Sequence, residues 1–149
     1  VIWKGQASSV EAKVDANPVT ELVVDFRQQQ HVLVLTDSRD FHVLSLDRSG
    51  RRFNVRQLRA LHDETVRCAT WLSTTDNDYN RKSFLVGTES GKLSLVTFKR
   101  SSNTDKIIDF LWQTPEDCAI IGVYVEQIGR NNILCAVATG AKIYHSVLT

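Results

Sequence analysis

A β-hairpin pattern that occurs three times limits the folds open to this chain more than any other feature. In its clearest copy, Ser83–Lys99, two apolar runs flank the polar residues 88–91, and such an arrangement is typical of a tight hairpin. The other two copies are His31–Asp47 and Asn132–Val147. The matching threonines, which are 52 and 51 residues apart, are Thr36, Thr88 and Thr139. A strand repeat of about 50 residues is typical of β-propeller blades.

The repeat predicts an all-β fold, a β-propeller fragment of about three to four blades, each a four-stranded antiparallel sheet, that is similar to Trp-Asp repeats. We expect the partial propeller to extend over residues 1–149. The predicted divisions are outer strands of a preceding blade at 1–14, blades at 19–60 and 66–113, and an incomplete blade without its outer strand at 118–149. Because the chain begins at Val1, contains no Met and ends within a blade, we expect it to be a piece of a larger protein.

The outer part of the blade at 19–60 has two alternative interpretations. A strand near Arg52–Leu58 fits the repeat, which requires a fourth strand there, and we favour this interpretation. A helix over Val55–Glu64 is the alternative, because Arg, Gln, Leu and Ala favour helices.

The first strand of the blade at 66–113 alternates between two sets of side chains. Val66, Cys68 and Thr70 alternate with Arg67, Ala69 and Trp71. A two-residue period places the two sets on opposite faces of a strand. We therefore expect each set to pack against a different neighbouring blade.

Composition limits the location of the chain and the class of partner. The 149 residues are 42% hydrophobic and 23% charged, with a net charge of +1. No field of the whole chain therefore attracts nucleic acid or an anionic membrane. The sequence contains no apolar run of 18 residues and no leader pattern, from which we expect a cytosolic location. Three cysteines without metal-type spacing favour free thiols in a reducing compartment over a disulfide framework: Cys68, Cys118 and Cys135.

The order of the motifs resembles a known family. Residues 46–53, Leu-Asp-Arg-Ser-Gly-Arg-Arg-Phe, close one hairpin, and Val66–Leu72 follows before residues 84–93, Phe-Leu-Val-Gly-Thr-Glu-Ser-Gly-Lys-Leu, open the next. From around Asp15 onward this series is similar to the N-terminal propeller of the deep orange family, the class C vacuolar protein-sorting subunit numbered eighteen. The segment Leu61–Trp71 also resembles the opening of a Trp-Asp repeat, although no hairpin here ends in Trp-Asp.

The resemblance implies a noncatalytic protein-interaction scaffold in the HOPS and CORVET tethering complexes, which act in vesicle trafficking and fusion. It implies other protein subunits of such a complex as partners, and peripheral association with a membrane through the complex. The implied location is cytoplasmic, at the late endosome, lysosome or vacuole. In that family a helical solenoid and a RING-type zinc domain accompany the propeller, and neither is in this sequence.

Two other classes of protein remain open on the residues alone. One is a generic Trp-Asp-type adaptor unrelated to membrane tethering. The other is a hydrolase that uses a propeller channel, which would need carboxylates or histidines that converge at the ends of the inner strands. The sequence offers few such candidates, namely Asp25 and Glu126.

The motifs indicate no catalytic residue, cofactor, metal site or small-molecule substrate. A metal needs clustered ligands, whereas the four histidines are dispersed: His31, His42, His62 and His145. The turn Gly87–Gly91 is not followed by the helix that a phosphate cradle requires, so we interpret it as a plain hairpin turn. Residues 76–78 lack the glycine and glutamate of a calcium loop. There is also no Gly-x-Ser-x-Gly nucleophile motif.

Five arginines within twelve residues form a candidate binding site: Arg48, Arg51, Arg52, Arg56 and Arg59. Arginine forks suit phosphates and carboxylates, so these residues could contact anionic lipid headgroups or an acidic partner. The alternative, which we favour, is an exposed outer strand whose arginines pair with acidic residues of a neighbouring blade. Binding of nucleic acid would require interleaved aromatic residues, and only Phe53 is available.

Overall fold

The repeated hairpins form the framework of the protein. The computed structural model describes residues 18–24, 31–36, 40–46, 53–59, 64–72, 81–99, 106–130 and 132–149. These residues contain eleven β-strands in three antiparallel sheets and no helix. The all-β prediction is confirmed.

Each sheet is a meander, in which every strand pairs with the next strand along the chain. The first sheet contains β1 (Val19–Val24), β2 (His31–Thr36), β3 (Asp40–Leu46) and β4 (Phe53–Arg59). The second contains β5 (Val66–Leu72), β6 (Arg81–Thr88), β7 (Lys92–Lys99) and β8 (Lys106–Gln113). The third contains β9 (Ile120–Gln127), β10 (Ile133–Thr139) and β11 (Ile143–Leu148), with β11 at its edge.

The outer segment of the first sheet is a strand and not a helix. Along β4, each residue from Phe53 to Arg59 pairs with a residue of β3. This pairing supplies backbone hydrogen bonds that an isolated helix would have to supply within itself, so the tertiary context overrides the helix propensity of Arg, Gln and Leu. The strand interpretation is therefore confirmed, and the helix over Val55–Glu64 is wrong.

The second sheet lies between the other two, and a hydrophobic core lies on each of its faces. Phe84 and Val86 of β6 pack in a core with residues of the first sheet, whereas Leu85, between them, packs in a second core with residues of the third. The alternation follows from the two-residue period of a strand. At the first of these two interfaces the Trp71 indole N–H donates a hydrogen bond of 2.8 Å to the Val23 carbonyl oxygen. Tryptophan thereby buries its ring and still pairs its polar atom.

A β-bulge changes the predicted alternation of β5. Cys68 packs in the core shared with the third sheet, while Ala69 and Trp71 pack in the core shared with the first, as expected. Val66, however, packs against the core of Ala69 and Trp71, because the pairing register shifts between Val66 and Cys68. An extra residue in a strand reverses the face of the residues beyond it. The expectation that Val66 shares a face with Cys68 is therefore wrong.

The same irregularity explains the repeated threonines. Each of them closes the second strand of its sheet opposite a residue at the start of the first strand: Val19↔Thr36, Val66↔Thr88 and Ile120↔Thr139. In each case the register shifts immediately beyond that pair. The three sheets therefore repeat the same local geometry with the period that the sequence shows.

Some expectations lie outside the described residues. Residues 1–14 and residues 76–78 belong to this group. The proposed blade boundaries stay a prediction.

Candidate interaction surfaces

A charged cluster joins the β6–β7 turn to the segment that precedes β5. The Glu64 carboxylate accepts a hydrogen bond from the Lys92 ammonium group. It also accepts one from the Ser90 hydroxyl, with a distance of 2.5 Å between the two oxygen atoms. The Thr88 hydroxyl oxygen accepts the backbone N–H of Lys92 at 3.0 Å. Although burial raises the pKa of Glu64, hydrogen bonds from Lys92 and Ser90 and the charge of Lys92 outweigh it, so the pKa lies below its ordinary value. The cluster therefore holds Glu64 ionised and the turn in one geometry.

The same turn is tied to the connection between the second and third sheets. The backbone N–H of Thr114 donates to the Gly91 carbonyl oxygen at 2.9 Å, and the Gln113 side chain donates to the Ser90 carbonyl oxygen at 2.7 Å. The Thr114 hydroxyl, which is buried, donates to the Cys118 carbonyl oxygen at 3.0 Å. The β6–β7 turn and residues 114–118 consequently form one rigid surface at this end of the sheets.

A weaker version of the charged cluster occurs in the third sheet. Lys142, in the β10–β11 turn, donates to Glu116 at 2.6 Å, and both side chains are more than half exposed. The hydrogen bond and charge of Lys142 lower the pKa of Glu116. Arg67 and Glu89 form another exposed pair at the same end of the second sheet. Exposed pairs such as these contribute little to stability, so they are free to exchange partners with another molecule.

Glu64 gives the first testable prediction. Because its folded pKa lies below the ordinary value of 4.5, its contribution to stability is present above that pH and is lost as the pH falls through the folded pKa. Glu64→Gln is expected to reduce the free energy of unfolding at pH 7 by about 1.5–2 kcal/mol, the lower part of the range for a hydrogen bond to a charged group, because the Lys92 side chain is partly exposed. The difference from the unmodified chain should shrink below pH 4.5.

Thermal unfolding between pH 3 and pH 7 tests this prediction. Glu116→Gln is the matched control, because it removes the corresponding carboxylate from an exposed pair and should have a smaller effect. The prediction would be contradicted if both variants lost the same free energy of unfolding at pH 7. It would also be contradicted if the stability difference between Glu64→Gln and the unmodified chain grew as the pH fell.

The structure places only part of the arginine cluster. Arg56 and Arg59 lie in β4, the edge strand of the first sheet, where their backbones pair with Val43 and Asp40. Arg48, Arg51 and Arg52 lie outside the described residues. The outer-strand position of Arg56 and Arg59 fits both interpretations of the cluster, so the assignment of a binding role stays a prediction.

The other candidates for chemistry are buried or already paired. Burial raises the pKa of Cys68 to about 12, with the nearby Glu21 charge as a further cause, so this thiol is a poor nucleophile. Cys68 and Cys135 are buried free thiols, and Cys118 is half-buried. Glu126, one carboxylate considered for a hydrolase, accepts a hydrogen bond from the Tyr124 hydroxyl at 3.0 Å, and Asp25 lies outside the described residues.

The three histidines that the structure describes lie in separate places and not in one site. His31 and His42 are buried in the first sheet, His145 is in β11, and His62 lies outside the described residues. Within the residues that the structure describes, no group of three or more His, Cys, Asp or Glu side chains could hold a metal ion.

Apolar surface remains open on the third sheet. On the face turned away from the second sheet, the exposed side chains include Ile121, Tyr124, Ile143 and Val147. An apolar cleft of about 570 Å³ also opens beside β8 and β11, and Trp112 and Tyr144 meet in it with their ring centroids 5.0 Å apart. The sequence pattern gave no sign of the cleft. Open apolar surface of this kind favours contact with further protein.

The described residues form no helix with the length and apolar character that a membrane span requires.

Three stacked meanders with a hydrophobic core on each face of the middle one define a fragment of a WD40-like β-propeller. The WD40 domain of SCAP from fission yeast, a crystal structure, is similar to the chain with a TM-score of 0.50 at 13% sequence identity. That match covers 88% of this chain and 31% of the SCAP chain, and it shows the fold alone.

The family is shown by a family model. The model of the Pep3/Vps18/deep orange β-propeller domain matches residues 10–148, and the chain belongs to this family. No curated protein matches the chain. The resemblance inferred from the order of the hairpins is therefore confirmed.

Proposed function

We propose that the chain is a noncatalytic interaction scaffold and part of a subunit of the HOPS and CORVET complexes, which tether membranes at endosomes, lysosomes or vacuoles. The observation that carries the proposal is the family match over residues 10–148, which includes all eleven described strands. The partners would be the other protein subunits, and the protein would associate peripherally with the membrane through them.

The geometry supports a scaffold rather than an enzyme. The rigid end surface built from the β6–β7 turn and residues 114–118 costs little entropy to bind, since its groups are already ordered. Its outer charges, Arg67 with Glu89 and Lys142 with Glu116, are exposed and able to select a complementary partner. Cys68 and Cys135 are buried among apolar side chains, where thiols are inert.

Affinity purification of the tagged full-length protein from cells tests this function. We expect the other class C sorting subunits to co-purify in comparable amounts. A matched purification of the Val86→Asp variant, whose propeller should not fold, should lose any subunit that the propeller holds. Recovery of unrelated proteins alone would contradict the tethering role and favour a Trp-Asp-type adaptor.

The arginine cluster gives a separate prediction on membranes. At about 150 mM salt, where charges are screened beyond roughly 8 Å, the unmodified chain is expected not to sediment with acidic liposomes. Its net charge is +1, and stable attachment to a membrane usually needs buried apolar area in addition to basic residues. Salt-sensitive sedimentation that is lost when Arg51, Arg52 and Arg56 are changed to Ala would contradict this expectation.

A further inference from the structure

The outer edge of the second sheet differs chemically from that of the first. Both edges belong to complete four-stranded meanders, and in the described part of the chain neither β4 nor β8 has a strand on its outer side. The seven residues of β4 include Arg56 and Arg59, and charged residues of this kind protect an edge from pairing with another chain. In β8, by contrast, five of the eight residues are apolar, and the charged residues are Lys106, at its start, and Asp109. The edge of β8 therefore lacks most of this protection.

Apolar side chains of β8 are also exposed to solvent. Phe110 is 60% exposed and Leu111 is 36% exposed, and the neighbouring Asp109 is exposed as well. An edge strand with these properties readily accepts another strand, because a row of unpaired backbone N–H and C=O groups accompanies the apolar side chains. We propose that the outer edge of β8 binds an extended segment of a partner protein as an added β-strand. The segment carries a basic residue opposite Asp109 and an apolar residue on each side of it.

A β-bulge limits the part of β8 that can accept the strand. Ser94 of β7 pairs with Phe110, and the preceding residue, Leu93, pairs with Trp112, so Leu111 has no partner of its own. A bulge bends its strand and increases the local twist, which interrupts regular pairing. The regular part of β8 therefore extends from the start of the strand to Phe110, a length of five residues, and the added strand should be of similar length.

The alternation of side chains along β8 determines which sequence fits. Ile108 packs against the core between the first and second sheets, and Phe110, two residues further on, lies on the same face of the strand. Asp109 lies on the opposite face. Residues directly opposite each other on neighbouring strands share a face and interact, so a lysine or arginine suits the position that faces Asp109. Apolar residues suit the positions that face Ile108 and Phe110, and this three-residue pattern is the same in both chain directions.

A second copy of this chain does not supply the basic residue. In a two-fold symmetric dimer the two β8 strands would pair antiparallel about an axis perpendicular to the sheet, which keeps each face of the strand on the same side. Residues on one face are separated by an even number of positions, so Asp109 would face an odd-numbered residue such as Ile107 or the second Asp109. It could not face Lys106, the one basic residue of β8. The charge of Asp109 therefore favours a different protein as the partner.

Fluorescence anisotropy of labelled peptides with the full-length protein tests the proposal. The probe is the peptide Thr-Thr-Val-Lys-Val-Thr-Thr, and its control has Glu in place of Lys. We expect the Lys peptide to bind with a Kd below about 1 mM and about fivefold more tightly than the Glu peptide, because opposite charges at facing positions attract and like charges repel. A Lys peptide with N-methyl groups on its three central residues should not bind, since main-chain hydrogen bonds hold an added strand.

The variant Asp109→Lys provides the matched test on the protein side. It should reverse the preference, so that the Glu peptide binds more tightly than the Lys peptide, because the opposite charges are then restored with their positions exchanged. Asp109 is exposed, and the thermal midpoint of the variant should lie within about 2 °C of that of the unmodified protein. Absence of binding at about 1 mM, or the same preference in both forms of the protein, would overturn the proposal.

Hydrogen exchange measured by mass spectrometry locates the bound peptide. Addition of the Lys peptide should slow the exchange of backbone amides in β8, whereas the exchange of β4, the edge strand with two arginines, should not change. Slowed exchange in β4 or β11 instead of β8 would contradict the proposed site. Without peptide, protection of β8 that increases with protein concentration would assign the edge to a second copy. Protection of β8 at every concentration would mean that another part of the full-length chain covers it, and either result would overturn the proposal.

Discussion

Replacement of Val86 by Asp is expected to abolish the cooperative folding of the chain. Val86 is fully buried in the core between the first and second sheets, beside Phe84 and Trp71. A carboxylate at this place would be ionised without a partner, or protonated at a comparable cost, and burial of an unpaired charge costs several kcal/mol. That cost approaches the whole stability of an ordinary domain, about 5–15 kcal/mol.

Circular dichroism during thermal unfolding of the 149-residue chain measures the effect. Val147→Asp is the matched control, because it makes the same change from valine to aspartate in β11 at a position that is half exposed. We expect Val86→Asp to show no cooperative transition and Val147→Asp to shift the midpoint by less than about 2 °C. Similar midpoints for the two variants would show that Val86 does not lie between two sheets.

The strands could be predicted because their signals are local. Apolar runs rich in Val, Leu and Ile, separated by Gly, Asn and Ser, mark β2, β3, β6, β7, β10 and β11 without knowledge of any contact. The outer strand β4 required a different argument, since its residues favour a helix and only the repeat indicated a strand. The strand is stabilised by its pairing with β3, which is a tertiary contact. In the sequence, the repeat was the feature that predicted this pairing.

The contacts between distant residues could not be predicted from local patterns. Glu64 and Lys92 are 28 residues apart, and no sequence motif around either residue predicts that the two side chains form a pair. A comparison of the repeats gives one signal. Lys92 and Lys142 lie at the C-terminal end of their hairpin turns, and a glutamate, Glu64 or Glu116, precedes the first strand of each set. The bulge beyond Val66 left no such signal. An inserted residue changes the face of the sheet on which the neighbouring side chains lie, but it does not change the amino-acid composition of the strand.

Close packing between the sheets also depends on residues that look permissive in the sequence. Gly87 was interpreted as part of a turn, yet it lies in β6 against the third sheet. A Cβ atom there would overlap the Ile120 side chain and lie 2.8 Å from the Cys68 sulfur. The glycine is needed because the second and third sheets approach each other at this point, which is information about tertiary structure.

Among the glycines in the turns that the structure describes, Gly91 is expected to be the one at which a change to alanine is most damaging. Gly91 has a φ of +84°, a conformation that residues with a side chain rarely adopt and that costs them about 1–2 kcal/mol. An added Cβ would also overlap the Thr114 hydroxyl and lie 2.7 Å from the Cys118 carbonyl oxygen. Since Thr114 connects the turn to residues 114–118, relief of the overlap must break that connection, and we expect a total loss of about 3 kcal/mol.

Gly140→Ala is the control, because Gly140 lies in the corresponding β10–β11 turn and a Cβ there meets no atom within 4 Å. Alanine at such a site reduces the freedom of the unfolded chain, so Gly140→Ala should be neutral or slightly stabilising. Urea unfolding at pH 7 compares the two free energies of unfolding directly. Equal free energies of unfolding for the two variants would mean that the β6–β7 turn is as open as the β10–β11 turn. The description of a rigid end surface built on Gly91 and Thr114 would then be wrong.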